Sequence, residues 1–214
     1  MPGLPGIYDG AGRKRTDPSG RRYTVCIRSV QFMEFAQVLR MRQSVRQYND
    51  RMVEQEDIRR IIDAALLGPV VRRHQLHLSV IRDRSVMKAA EQDADEFFQK
   101  EDGVYLYNAP VWIILSGRKY REMSPENNLM WNNNLYWNTG SLIENMELQA
   151  AELGLCSCSV NSVIAAMQNR PGIRTRLGIP EGFDALGSLV IGYPDTAAEQ
   201  RSVNPELIGV TYIG

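Results

Sequence analysis

The chain has 214 residues, enough for one domain with a sizeable core. Its 25 basic and 25 acidic residues give a formal net charge of zero, which argues against a dedicated nucleic-acid binder. Three cysteines without a CxxC pair argue against a disulfide scaffold or a structural zinc site, and no apolar run approaches the ~20 residues of a membrane span.

The cysteines, Cys26, Cys156 and Cys158, fit reduced thiols in a cytoplasmic protein. The opening stretch, MPGLPGIYDGAGRKRTDPSGRRYTVCIRSV, is rich in Gly, Pro and Arg and lacks the apolar core of a secretory signal. Residues 1–30 are expected to form a flexible or partner-draped arm, and residues 31–214 the folded domain. GRKR within the arm is only a weak nucleic-acid signal.

Phe32, Phe35, Ala36 and Leu39 follow helical spacing and are expected to share one face. That helix should end among arginines, where cations suit the negative end of the dipole. A second helix is predicted from Glu54 to Leu67, with acids in its first turn, Ile58, Ile61, Ile62 and Ala65 as the buried stripe, and Gly68-Pro69 as the stop. QLHLSVI alternates as a strand, a helix is expected over 85–100, and APVWIILSG reads as a buried strand.

SPENNLMWNNNLYWN is polar and aromatic and reads as a loop. A long helix is expected after it, from Leu135 to Leu153, with Leu135, Leu142, Ile143, Met146, Ala150 and Leu153 inward and Gly154 as its cap. After CSCSVNS a shorter helical stretch should reach Leu177. LGSLVIGYP reads as another buried strand, and IGVTYI as a terminal one.

Several common signatures do not occur: GxGxxG, GxxxxGK[ST], GxSxG and HExxH. His74 and His77 form an HxxH, but on a strand they face opposite sides, so metal binding is not expected there. Cys156 and Cys158 read as small core residues.

The informative stretch is RQSVR, Arg42 to Arg46. Two readings stand. It is either a solvated basic helix end, or a phosphate site in which guanidinium forks and a hydroxyl meet phosphate oxygens.

The wider context RMRQSVRQYNDRMVEQEDIRRIIDAALLGP resembles the opening of the FMN-dependent nitroreductase family. Three further segments match that family in order: NAPVWIILSG, WNTGSLIENMELQAAELGLCSCSV and LGIPEGFDALGSLVIGYP. The resemblance spans about Phe35 to Pro194. It implies an α+β fold with a mixed sheet flanked by helices, an intertwined homodimer, and FMN at the interface. It also implies ping-pong hydride transfer from NAD(P)H to a nitroaromatic, quinone or similar acceptor.

Residue by residue, the resemblance implies that Arg42 and Ser44 hold the FMN phosphate, with Gln43 beside them. Arg46 would reach the ribityl chain or the N1/O2 edge, and Arg201 would add a phosphate cation. The loop Ser159, Val160, Asn161 and Ser162 would present a backbone N–H to flavin N5, although helix entry with a serine cap explains the same residues. No side chain is expected to be catalytic, because the cofactor carries the reaction.

Departures lie in VVRRHQLHL. Arg73 stands where the family's pyrimidine-reading Asn is expected, Gln75 keeps the Gln, and Leu76-His77 replaces Pro-Trp. Asn138 stands where an acidic residue is common. Trp131, Tyr136 and Trp137 either stack on a planar substrate or pack in the dimer interface. The departures leave two alternatives open: a specialised flavoenzyme that oxidises, desaturates or dehalogenates one metabolite, or a non-catalytic flavin-binding protein.

Overall fold

Two apolar runs make the centre of the sheet. In the computed structural model, which describes residues 33–72, 75–167 and 171–214, β2 (Val111–Gly117) pairs with β4 (Asp184–Gly192). Both strands are buried along their whole length. Each therefore needs apolar residues on both faces, which is why neither shows the two-residue alternation of a half-exposed strand. β1 (Leu76–Ile81) flanks β2, and β3 (Cys156–Ser159) flanks β4, giving the order β1-β2-β4-β3. All three pairings are antiparallel. The expected arm, Cys26 and Arg73 lie outside the described residues.

Side chains of β2 alternate between two cores. Val111, Ile113 and Leu115 meet α2 (Gln55–Leu66) and α4 (Pro125–Glu152) through Ile58, Ile61, Leu142 and Met146. Trp112 and Ile114 meet the other layer, α3 (Arg84–Phe98), α5 (Ser162–Met167) and α6 (Pro171–Arg176), through Met87, Ala90, Val163 and Ile173. The result is a sheet with helices on both faces, the α+β architecture expected.

Three elements differ from the sequence reading. The polar aromatic stretch before Leu135 is helical, so α4 runs for 28 residues. Ser124 caps it, accepting from the Asn127 amide, and Pro125 sits at its first position, where a missing N–H costs nothing. Its asparagines bond backward instead of breaking the helix. Asn128 bonds Met123, and Asn132 bonds both backbone groups of Tyr120.

Second, CSCS, for which the sequence suggested no element, forms β3. Third, IGVTYI makes no strand within the chain. The apolar side chains of the tail from Val203 to Ile213 are between 67 and 96 % exposed. A strand forms only against a partner ladder, and within this chain the tail has none.

α1 (Phe35–Met41) is also turned from its expected face. Val38 is buried, while Phe35 and Leu39 are exposed. Gly154 ends α4 with φ +74°, a conformation that glycine adopts without a Cβ penalty.

Gly192 closes β4 where the chain turns beneath Tyr48. A Cβ there would lie 2.6 Å from Pro110 Cδ and 2.9 Å from Tyr48 Cδ1. Both neighbours are rings held by the core. Gly192→Ala is expected to lower stability by roughly 2 kcal/mol through overpacking; thermal melting checks this, and an unchanged midpoint would contradict the crowding.

Candidate functional site

The helix α1 stops at Arg42, whose backbone is extended (φ −63°, ψ 118°). The next residues run along the free edge of β3. Ser44 forms a parallel bridge to Ser157, the Val45 amide donates to the Ser157 carbonyl at 2.9 Å, and the Asn49 amide donates to Tyr193 O at 3.0 Å. Tyr48 Oη donates to Val45 O at 2.7 Å and seals the turn. An extended segment puts alternate side chains on one side. Arg42, Ser44 and Arg46 are alternate residues of this segment, and Arg46 also lines a cavity with its neighbours Gln43, Val45 and Gln47.

The thiol of Cys158 lies close to Arg46, Ser44 and Arg42. Burial pushes it up, Arg46 opposes this, Glu147 adds to it, and Ser44 and Arg42 oppose it again. Among the described residues no carboxylate pairs with Arg46. Its guanidinium stands 5.9 Å from the Tyr107 ring, and the hydrogen bond to Tyr107 raises its already high value further.

Arg42 is held from below by a residue that the sequence reading missed. Its Nη1 donates to Glu147 Oε2 at 3.1 Å, and its Nε lies 3.9 Å from Glu144 Oε1. Glu147 is 4 % exposed. Its other oxygen accepts the hydroxyls of Ser157 and Ser159, each at 3.3 Å. The signal was present in sequence: a carboxylate one turn beyond Ile143 and one before Ala150, on the inward stripe of a helix. A buried carboxylate needs a cation and donors, and this one has both. The pair uses one of the five N–H groups of Arg42 and leaves others for a ligand.

The remaining predicted residues fall as follows. Gln43 Nε2 donates to Glu199 O at 3.2 Å, tying the segment to the chain after β4. Between them lies a cavity of about 530 Å3 lined by Gln43, Val45, Arg46, Gln47 and residues 196–199. That size suits a small-molecule site, for which ~300–1,000 Å3 is usual. Arg201 runs beside α1: its amide donates to Arg40 O at 2.9 Å, and its carbonyl accepts from Arg40 Nη1 at 3.5 Å.

In the loop after β3, Val160 is buried and its amide donates to Ser188 O at 2.9 Å, while its carbonyl accepts Ser188 Oγ. Val160 anchors the loop, and Asn161 and Ser162 stand at the entry of α5. Gln75 is drawn elsewhere: Tyr120 Oη donates to its Oε1 at 2.6 Å. Asn138 is buried and holds Val71 from both sides, its Nδ2 donating to Val71 O at 2.9 Å and its Oδ1 accepting from Val71 N at 3.4 Å.

Arg42 and Ser159 thus meet on the Glu147 carboxylate, Ser44 bridges to Ser157 on the same strand, Arg46 lies against Tyr107, and Gln75 is held by Tyr120. A segment of this shape, ahead of a helix-flanked antiparallel sheet, defines a class of small-ligand oxidoreductase folds.

The nitroreductase family profile matches residues 39–193, and the chain belongs to the nitroreductase family. A protein of Archaeoglobus fulgidus, provisionally named an NADH dehydrogenase/NAD(P)H nitroreductase, is 30 % identical over 162 residues, 75 % of this chain and 86 % of that one. Among solved structures, a nitroreductase with bound FMN from Desulfitobacterium hafniense matches with a TM-score of 0.71 at 19 % identity, covering 85 % of this chain and 100 % of its own. One with bound FMN from Bacteroides fragilis matches with a TM-score of 0.69 at 22 % identity, covering 84 % and 100 %. Among the described residues no helix is long and apolar enough to cross a membrane.

Arg42→Ala leaves the Glu147 carboxylate buried without its cation and is expected to cost about 3 kcal/mol of stability. Adding Glu147→Gln keeps an acceptor for the two serine hydroxyls and should restore at least half of the loss. Denaturant unfolding of both variants checks this. Equal stability of single and double variants would show that the pair is incidental.

Proposed function

We propose that this chain is an FMN-dependent oxidoreductase that acts as a homodimer. It takes hydride from NAD(P)H and delivers it to a nitroaromatic, quinone or similar acceptor in a ping-pong sequence. The observation that supports this reading is the extended segment bearing Arg42, Ser44 and Arg46, bridged to β3 at Ser157, with Glu147 joining Arg42 to Ser159. When bound, FMN supplies hydride acceptance and donation at N5.

The chain's own part is positioning and charge. Ser44 and Arg42 hold the phosphate, Arg201 adds positive charge beside them, and Gln43 fixes the neighbouring strand through Glu199. Arg46, free to leave Tyr107, serves the ribityl chain or the N1/O2 edge, where a fixed cation favours the reduced, anionic flavin. The backbone donor toward N5 is assigned to Asn161, because the Val160 amide is spent on Ser188. Arg73 and Gln75 are assigned to the pyrimidine edge. Donor and acceptor use one open face in turn, so no catalytic side chain is required.

The dimer rests on surfaces that a single chain leaves bare. Phe35 and Leu67 border a groove of about 300 Å3 between α1, α2 and α4, and the apolar tail after Val203 lies exposed. β1 has a neighbour on one side only. Exchange of the tail between two copies covers this surface and gives IGVTYI the ladder that it lacks. The altered loop 70–77 supports a second reading, a specialised flavoenzyme for one metabolite, since Gln75 is claimed by Tyr120.

Purified protein is expected to be yellow and to release FMN on denaturation, and to oxidise NAD(P)H with menadione or a nitrofuran. Colourless protein that refuses added FMN would end the first reading. Flavin without such turnover would transfer support to the second. Arg46→Ala, which leaves the Glu147 pair intact, should weaken FMN retention at least tenfold, measured as free and bound flavin after gel filtration. Deleting residues 203–214 should turn a dimer into a monomer by light scattering; a dimer that survives the deletion would refute the exchanged tail.

A further inference from the structure

Away from the cradle, positive charge gathers where β2 gives way to α4. Lys119, Arg121 and Arg174 all converge on one carboxylate, Asp184. Arg121 Nη2 lies 2.7 Å from Oδ2, Arg174 Nη1 lies 3.1 Å from Oδ1, and Lys119 Nζ lies 3.9 Å from Oδ2. Two further guanidinium groups beside them rest on rings: Arg118 stands 5.3 Å from the Phe183 ring centroid, and Arg72 stands 4.5 Å from the Trp131 ring and 5.4 Å from the Tyr120 ring. In a chain of zero net charge, the run Arg118, Lys119 and Arg121 is a local concentration of positive charge of the kind that attracts an anion.

Arg72 is held there against its own backbone. Its φ is +58°, a left-handed conformation unfavourable for a residue with a Cβ. Its Nη1 donates to Tyr120 Oη at 2.8 Å, and Tyr120 in turn donates to Gln75. Lys119 and Arg121 are the two neighbours of Tyr120 in sequence. The charged patch is therefore coupled by two hydrogen bonds to Gln75, which the proposed function assigns to the flavin's pyrimidine edge. Alongside it, α4 presents flat aromatic surface: Tyr136, with Lys119 Nζ 5.5 Å from its ring, and Trp137, which is largely exposed.

Charge beside exposed aromatic rings fits one class of ligand, a phosphorylated adenine nucleotide: phosphate oxygens take guanidinium forks and the purine takes a ring face. We propose that this patch binds the 2′-phosphoadenosine half of NADPH, with Arg118 and Arg121 on the 2′-phosphate and the α4 aromatics on the adenine, and so sets a preference for NADPH over NADH. This rests on the reading of the chain as a nicotinamide-dependent flavoprotein, and it names the donor.

The binding test needs no turnover. Quenching of tryptophan fluorescence should report 2′,5′-ADP binding at least tenfold tighter than 5′-AMP, with inorganic phosphate competing against the former. The Arg118→Ala/Arg121→Ala variant leaves Asp184 with Arg174 and Lys119, so its carboxylate is not stranded. In this variant the advantage of 2′,5′-ADP should fall at least tenfold, and the ratio of KM for NADH to KM for NADPH should collapse in step. Equal binding of the two nucleotides, or a variant that keeps the discrimination, overturns the inference. Flavin content of the same preparation reads the underlying function separately. Flavin present without nucleotide discrimination sinks only the donor assignment, whereas flavin absent with discrimination intact sinks the flavoprotein reading and leaves the nucleotide site standing.

Discussion

The site depends on a single backbone choice: after Arg42 the chain abandons helix and pairs with the edge of β3. The Val45 amide and the Ser157 carbonyl make the decisive bond. A continued helix, at about 100° per residue, would have kept Arg42 and Arg46 within about 40° of each other but turned Ser44 to the opposite face. An extended segment spaces them as alternate residues along that edge. The same pairing covers an otherwise open sheet edge, so one set of hydrogen bonds both completes the sheet and aligns the donors.

A buried carboxylate makes that alignment rigid. Glu147 reaches from α4 to Arg42 and to the hydroxyls of Ser157 and Ser159, so helix, edge strand and extended segment meet on one pair of oxygens. This has an electrostatic cost for ligand binding, since the carboxylate offsets part of the charge that Arg42 offers to a phosphate. On the proposed assignment, anion attraction would then fall more on Arg46, Arg201 and the hydroxyl of Ser44. Removing Arg42 therefore disturbs folding and binding together, whereas Arg46 reports on binding alone.

Much of this was legible in the residues, and the parts that were not have physical reasons. β2 and β4 announced themselves because a strand buried on both faces must be apolar throughout. α2 announced itself by acids at its start and a stripe at Ile58, Ile61 and Ala65. The first half of α4 did not. Its asparagines are turn formers by propensity, and only tertiary partners, Tyr120 for Asn132 and Val71 for Asn138, make them helical. The Ser124-Pro125-Glu126 start was the overlooked cue. β3 is four residues long with two serines, too short and too polar for periodicity to register, and it exists because β4 is beside it. In the site, RQSVR named the cation cluster, but pairing of Arg42 with Glu147 joins residues 105 positions apart, which no local pattern encodes.

The departures between Gly68 and His77 follow from the same accounting. In that loop an arginine, Arg72, sits in a left-handed conformation, and Gln75 is bound by a tyrosine. Arg72 is exposed, and its left-handed backbone is held by the Gln75 amide on its carbonyl and by the contacts of its guanidinium with Tyr120 and Trp131. Strain of this kind persists where surrounding contacts over-determine a position, and it concentrates where a surface is shaped for a ligand. The contacts that over-determine Arg72 come from the start of α4 and the turn before it, the same stretch that supplies Lys119 and Arg121. The altered loop and the basic turn therefore form one unit. A change in either would move the other, because Arg72 Nη1 and Gln75 Oε1 meet on the one Tyr120 hydroxyl.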